Sequence, residues 1–512
     1  MSLRSLCLLA LPLSTPMVPL AAQGARATPV IIAASIDSMA ARAVRAGIAP
    51  ALGVAIAMDG RIIYRHAFGN ADATARVPAD EHTLWYVAST SKSFTGFGVT
   101  LLAHRGHLRF DAPIATLLPG VPWHAGAHAE SLTLAHFLSH THHLSDVAVV
   151  MSAAYTGEIP ESQWPSLLVL ATPSGNRDLV YSNFGYNVAA MVIDRLQSEG
   201  WRRFLEENVY RPAGMHETYT RVSGLDPRRI AHPHRLLPSG RYVTDIFYKT
   251  DATMNSAGGH LATLDDLARW TIVQMDGGII DGKRVFPAEA VALGQRLIAK
   301  QTRESAKRFA YFDREGWGAG WDLGSYEGEP MVSRFGGYHS TRSHLSFLPH
   351  RRIGVVAVST GGLGSSLTDL LASYAYDLEA GRADATTRAE QRLGDLIQRL
   401  ASARRTAATE DSTLNALRRL VLDRPVTDLV GRYTAPHYGT IVIEARDNAL
   451  TYRWGAVYGA MLPESTTGQW FRLEIAGGDE RLEFTRPSTG AASALTVNGI
   501  RFVREERTPE PR

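Results

Sequence analysis

Strand-forming sequence stands at both ends of the region 45–365, and helix-forming sequence fills the space between. Leu52 to Met58 is an apolar run, Asp59-Gly60 supplies a two-residue hairpin turn, and Arg61 to His66 makes the returning strand. Far downstream, Ser343–Pro349 and Ile353–Ser359 carry the same signal, the second through Val355, Val356 and Val358. The middle, roughly 110–330, mixes helical patterns with Pro- and Gly-rich loops, and Thr263-x-x-Asp266 before Leu267 reads as a helix N-cap. This order predicts one α/β domain whose sheet is closed by segments far apart in the chain.

Helices flank that sheet in sequence. Ile36, Met39, Ala40, Ala43 and Val44 recur at helical spacing before the first strand. A second helix after residue 88 runs to about Arg105, with Phe94, Phe97, Leu101 and Leu102 on its apolar face and Gly106 at the position after its end. Residues 381–425 are rich in Ala, Arg and Leu, with Leu393, Leu396, Ile397 and Leu400 at helical spacing, and read as a helical linker. Beyond Pro425, short strand patterns at Thr440–Glu444, Leu450–Trp454, Phe471–Ile475, Arg481–Thr485 and Leu495–Phe502 alternate with turns at Gly477-Gly478 and Asn498-Gly499. Residues 426–506 are therefore expected to form a small all-β barrel or sandwich.

The bulk numbers narrow the function. A net charge of +3 over 512 residues, without a long Lys/Arg block, gives no support to nucleic-acid binding. Arg4 followed by an apolar stretch from Leu6 to Leu20 and the small residues Ala21 and Ala22 has the layout of a cleaved secretory signal peptide over 1–22. Pro12 and Pro16 interrupt the run that a membrane anchor would need. Cys7, the only cysteine, falls in that stretch, so the mature chain is expected to have neither disulfide nor thiol chemistry. A periplasmic or secreted location follows as the expectation.

Three short motifs carry chemistry. Ser89 and Lys92 stand three apart at the start of the second helix, on one face, where an amine can take the proton of a hydroxyl that is otherwise a weak nucleophile. Tyr181 and Asn183, two apart in an extended segment, point the same way. A phenol near a cation can pass protons and an amide can hold a lysine or a substrate carbonyl. Arg334-Phe335-Gly336-Gly337 precedes the downstream strands, where glycines permit close approach to backbone.

In that order and spacing the chain resembles the serine β-lactamase and penicillin-binding-protein family, in its class C and D-alanyl-D-alanine carboxypeptidase-like branch. Leu132–Thr141, Arg211–Met215 and Ala257–Thr263 add to the likeness, and 426–506 resembles a lipocalin-like β domain appended to such hydrolases. The resemblance implies a hydrolase domain over 30–380, with an antiparallel sheet flanked by helices and an all-helical subregion. It implies Ser89 as acyl-enzyme nucleophile, Lys92 and Tyr181 sharing the proton transfers, and Asn183 orienting Lys92 and substrate. The N–H groups of Ser89 and Gly337 would form the oxyanion hole, with Gly336 beside them and no metal or cofactor required. Arginine at 334 departs from the family's lysine or histidine, and leads to the expectation that Arg334 grips a substrate carboxylate. His142-His143 departs from the usual small pair and is expected to border the site.

Histidines 124, 128, 136, 140, 142 and 143 are dense enough to suggest zinc, but no His-Glu-x-x-His pattern accompanies them. The expected function is an exported peptidase or amidase acting on D-amino-acid-containing or other small carboxylate-bearing peptides. A β-lactamase, a carboxylesterase and a non-turnover β-lactam or cell-wall-fragment binder are the alternatives. Small-molecule or peptide substrates are the expected partners, and oligomeric state is not legible.

Overall fold

The computed structural model describes residues 26–145, 147–175, 179–302, 311–446, 449–475, 478–485 and 490–506. The expected leader at 1–22, Cys7 and the turn glycine Gly477 lie outside the described residues.

Strand Ala51–Met58 pairs antiparallel on one side with Arg61–Asp72 and on the other with Ile353–Thr360, Ala51 facing Thr360 and Met58 facing Ile353. The two ends of the region thus meet in the middle of a nine-stranded antiparallel sheet. The sheet continues outward through Thr341–Leu348, Glu329–Tyr338, Asp322–Tyr326 and Asp313–Trp317. Along Ala51–Met58, Ala51, Ala55 and Ala57 join the core on one face, while Leu52, Val54 and Ile56 join the core on the other. That alternation is the period of a strand buried on both sides. The small residues face the layer holding helices Ser91–His104 and Leu264–Met275, where a Cβ at Gly53 would fall 2.9 Å from the Trp85 ring. The large residues meet Pro29–Arg45 and Gly364–Glu379.

The first helix begins earlier than its apolar periodicity suggests. Thr28 caps it through the Ile31 N–H, and Pro29 sits at a first-turn position that loses no hydrogen bond. The expected linker is a helix, Ala385–Arg418, that does more than connect. Its Ala385, Ala389, Leu393 and Leu396 are buried in the same core as Gly364–Glu379, and only its later turns run clear toward the C-terminal part.

That C-terminal part is a closed eight-stranded barrel from Gly431–Ala435 to Ile500–Arg504. Closure removes the exposed strand edges that an open sheet of this size would present. Two of its strands, Gly431–Ala435 and Val457–Pro463, are absent from the sequence reading. Among the described residues, no helix is long and apolar enough to cross a membrane.

Candidate active site

Ser89 sits not in the helix proper but in a 3-10 turn, Ala88–Thr90, that runs into Ser91–His104. Ala88 takes φ +46, a left-handed conformation costly for a residue with a Cβ. This bend turns Ser89 toward the cleft while Lys92, fully buried, remains one turn below it. Lys92 Nζ lies 3.2 Å from Ser89 Oγ, 2.6 Å from Asn183 Oδ1 and 2.6 Å from the Ala257 carbonyl oxygen. As an ammonium, each N–H has an acceptor. As a neutral amine, it donates to Asn183 and Ala257 and its lone pair faces the Ser89 hydroxyl. Both forms are satisfied, as a proton-transfer group requires. Burial and the nearby Arg334 charge hold the Lys92 pKa well below its usual value, with Asp322 opposing.

Tyr181 approaches from the other side. Its hydroxyl is 2.5 Å from Ser89 Oγ and accepts an N–H from Arg334 at 3.1 Å. Desolvation pushes this phenol upward, while Arg334 and the Ser89 contact pull it down. Because 44% of the residue is exposed, the upward push is the weaker for it. Asn183 is the residue before helix Phe184–Leu196, so the turn into that helix delivers Tyr181 to Ser89 and Asn183 to Lys92.

Arg334 is placed differently from the expectation. It is 2% exposed, and its nitrogens have partners within the protein: Nε donates to the Ser89 carbonyl at 2.9 Å, one terminal nitrogen to Asp322 at 3.2 Å, the other to Tyr181. All three nitrogens are thus held, so of the five N–H groups of a guanidinium two remain for a substrate group in the cleft that Arg334 lines. Asp322 is 1% exposed and also meets Arg314 at 3.0 Å, so a buried arginine pair shares one carboxylate. Gly336 is required by contact: a Cβ there would fall 2.1 Å from the Val87 carbonyl oxygen and 3.0 Å from the Ser89 nitrogen. Gly337 follows it along the cleft wall. The strand therefore brings its backbone beside that of Ser89, where N–H groups of both could receive an oxyanion.

Several residues at the site had no sequence signal. Asp322 and Trp317 come from segments that form no motif with Ser89, and the Ala257 carbonyl comes from the Ala257–Thr263 stretch, whose likeness to the family gave it no role. His140 is the histidine that borders the site, its ring 4.7 Å from that of Tyr181 and 4.3 Å from that of Trp317. Its Nδ1 accepts the Ser182 N–H, which assigns the ring proton to Nε2, and burial with the Lys92 and Arg334 charges keeps it neutral. His142, expected at the site, is instead stacked on Phe137 at 5.1 Å within the core. His136 caps its own helix through the Thr133 N–H, and His124 accepts from Gly126. These local roles scatter the histidine cluster, and among the described residues no group of metal-ligating side chains gathers.

Residues 36–380 match the model of the β-lactamase family. The chain belongs to that family. Among curated relatives, penicillin-binding protein 4* of Bacillus subtilis is 29% identical over a stretch covering 58% of this chain and 66% of that protein. This family member spans just under two thirds of that relative's length. Two solved structures share the fold. The octameric penicillin-binding protein homologue from Pyrococcus abyssi matches 92% of this chain and 99% of its own, at 18% identity and a TM-score of 0.57. D-amino acid amidase from Ochrobactrum anthropi SV3 covers 70% of this chain and 99% of its own, at 18% identity and a TM-score of 0.55.

Proposed function

We propose that the protein is an exported serine hydrolase that forms an acyl-enzyme at Ser89 and cleaves amide bonds in D-amino-acid-containing or related small peptides. The observation that carries this reading is the triangle at Ser89 Oγ, with Lys92 Nζ at 3.2 Å and the Tyr181 hydroxyl at 2.5 Å. Environments that push two titratable groups in opposite directions assign acid and base. Lys92, held toward its neutral form, takes the Ser89 proton as Oγ adds to the substrate carbonyl. Tyr181, held toward its phenol form, passes a proton to the leaving amine, and the pair titrates as one unit. Asn183 fixes the Lys92 lone pair on Ser89. The amidase among the fold neighbours supports the choice of amide over lactam, and export rests on the N-terminal pattern alone. A substrate carboxylate would meet Arg342, which lines the cleft and forms no ion pair among the described residues, its Nη1 donating only to the carbonyls of His339 and Thr341.

A hydrolysis panel tests the reading: D-amino-acid amides, D-Ala-D-Ala peptides, a chromogenic β-lactam and short p-nitrophenyl esters, with wild type and Ser89→Ala. The amides are expected to turn over fastest, with Ser89→Ala lowering kcat by about 10³-fold or more. Faster β-lactam or ester turnover would favour the alternatives. Permanent labelling by a fluorescent penicillin, with no turnover of any substrate, would make the protein a binder.

A further inference from the structure

The cleft that holds Ser89 does not end at the hydrolase layer. Its wall continues through Met151 and Tyr248 to Tyr452, Trp454, Val457 and Leu473 of the barrel. Those last four side chains also belong to the barrel's own core, so the barrel presents the end of its interior to the cleft. The barrel is fixed there by specific bonds. Ala456 N–H donates to the Thr156 carbonyl at 2.8 Å, Thr440 N–H to Glu158 at 3.1 Å, and the Tyr248 hydroxyl to the Tyr458 carbonyl at 2.9 Å. Gly455, at φ +57, lies so close that a Cβ would be 2.0 Å from the Thr156 oxygen.

Two further observations point to a ligand. Tyr452 is 4% exposed and its hydroxyl has no hydrogen-bond partner among the described residues, although the residue lines the cleft. An unpaired buried hydroxyl is costly and calls for an explanation. The cleft measures about 1340 Å³, larger than the roughly 300–1,000 Å³ that suits a small ligand. A single amino-acid amide would leave the barrel end of it empty.

We propose that the barrel mouth is the distal subsite of the active site. It takes a large apolar side chain or acyl group of a peptide-like substrate, and the Tyr452 hydroxyl bonds a carbonyl or amide beside that group. This rests on Ser89 being the nucleophile. The lining is mostly aromatic and aliphatic with Glu480 and Asn498 beside it, so it selects bulk and disfavours an anionic group, and the Tyr452 hydroxyl sets register.

The test is a fluorophosphonate carrying a benzophenone at the end of a peptide-length apolar tail. Ser89 Oγ bonds phosphorus, fluoride leaves and Lys92 takes the proton; irradiation then attaches the tail to whatever it touches, and peptide mass mapping finds it. Cross-links are expected in the barrel, at Tyr452, Trp454 or their neighbours. Labelling of Ser89 with every cross-link inside 26–380 would overturn the subsite and leave the hydrolase reading standing, whereas failure to label Ser89 would overturn both. A kinetic arm uses Tyr452→Phe on amides bearing either a long aromatic acyl group or an acetyl group. The ratio of KM for the long to the short substrate is expected to rise about three- to tenfold. An unchanged ratio would count against the assignment.

Discussion

Arg334 shows how one residue's role depends on what surrounds it. Its guanidinium binds the carbonyl of the nucleophile, the hydroxyl of the proposed acid and a buried carboxylate, so it sets the electrostatics of Ser89 and Tyr181 from behind. Lysine in its place would keep the charge but lose the fork that reaches all three groups. Arg334→Lys is therefore expected to lower kcat/KM by about 10- to 100-fold, through kcat and equally on acidic and amidated substrates. Steady-state kinetics on the two substrate types check it, and a loss confined to acidic substrates would restore the carboxylate-clamp role. The contrast also marks what the sequence made legible. Ser89 with Lys92, and Tyr181 with Asn183, are local pairs whose spacing carries their geometry. Asp322 is the anion that occupies Arg334, and it stands on another strand with nothing nearby to connect it. An arginine's availability depends on such a partner, so its chemistry was readable and its direction was not.

Elements place these residues through close backbone approach. Strand Glu329–Tyr338 passes the nucleophile turn with only glycine able to fit at 336. In Gly336→Ala the new Cβ would meet backbone at Val87 and Ser89, which cannot rotate away. The variant is expected to lose about 100-fold or more in kcat/KM, because a small displacement of aligned groups is enough for that. Circular dichroism should show the fold retained, since the clash is confined to the cleft rim; unfolding of the whole domain would contradict that local account. Central strands were visible in the sequence because both faces are buried, as in Ala51–Met58 and Ile353–Thr360. The barrel strand Val457–Pro463 was hidden for the opposite reason. It carries Gly459, pressed to where a Cβ would be 2.1 Å from the Glu474 carbonyl, and ends in Pro463, so it lacks the β-branched alternation that marks a strand.

At the scale of the molecule, hydrolase layer and barrel meet across the segment 151–158 and the loop carrying Tyr248 and Lys249, and the joint contains a lysine that no carboxylate balances among the described residues. Lys249 is 6% exposed, donates to the Ala154 carbonyl, and has its ammonium 4.2 Å from the Tyr338 ring centre and 5.5 Å from that of Tyr86. The groups facing it are these tyrosines, Tyr155 and His339, whose own pKa is held down to about 4 by burial first and then by the Lys249 and Arg342 charges. Burial lowers the Lys249 pKa to about 7. In the unfolded chain the same amine titrates near its ordinary 10.5, so between about 7 and 10.5 the unfolded state holds more protons and stability rises with pH. Below about 7 both states are charged and the full burial penalty is present. Replacing the amine by a thioether of similar length removes this dependence while leaving one carbonyl without its donor. Lys249→Met is accordingly expected to gain on the wild type at pH 6 relative to pH 9, by about 2–3 kcal/mol in the difference between the two unfolding free energies. Urea titrations of both proteins at the two pH values measure it. A difference independent of pH would mean that Lys249 is charged and solvated in the folded protein, and that the joint between barrel and hydrolase layer is open to water.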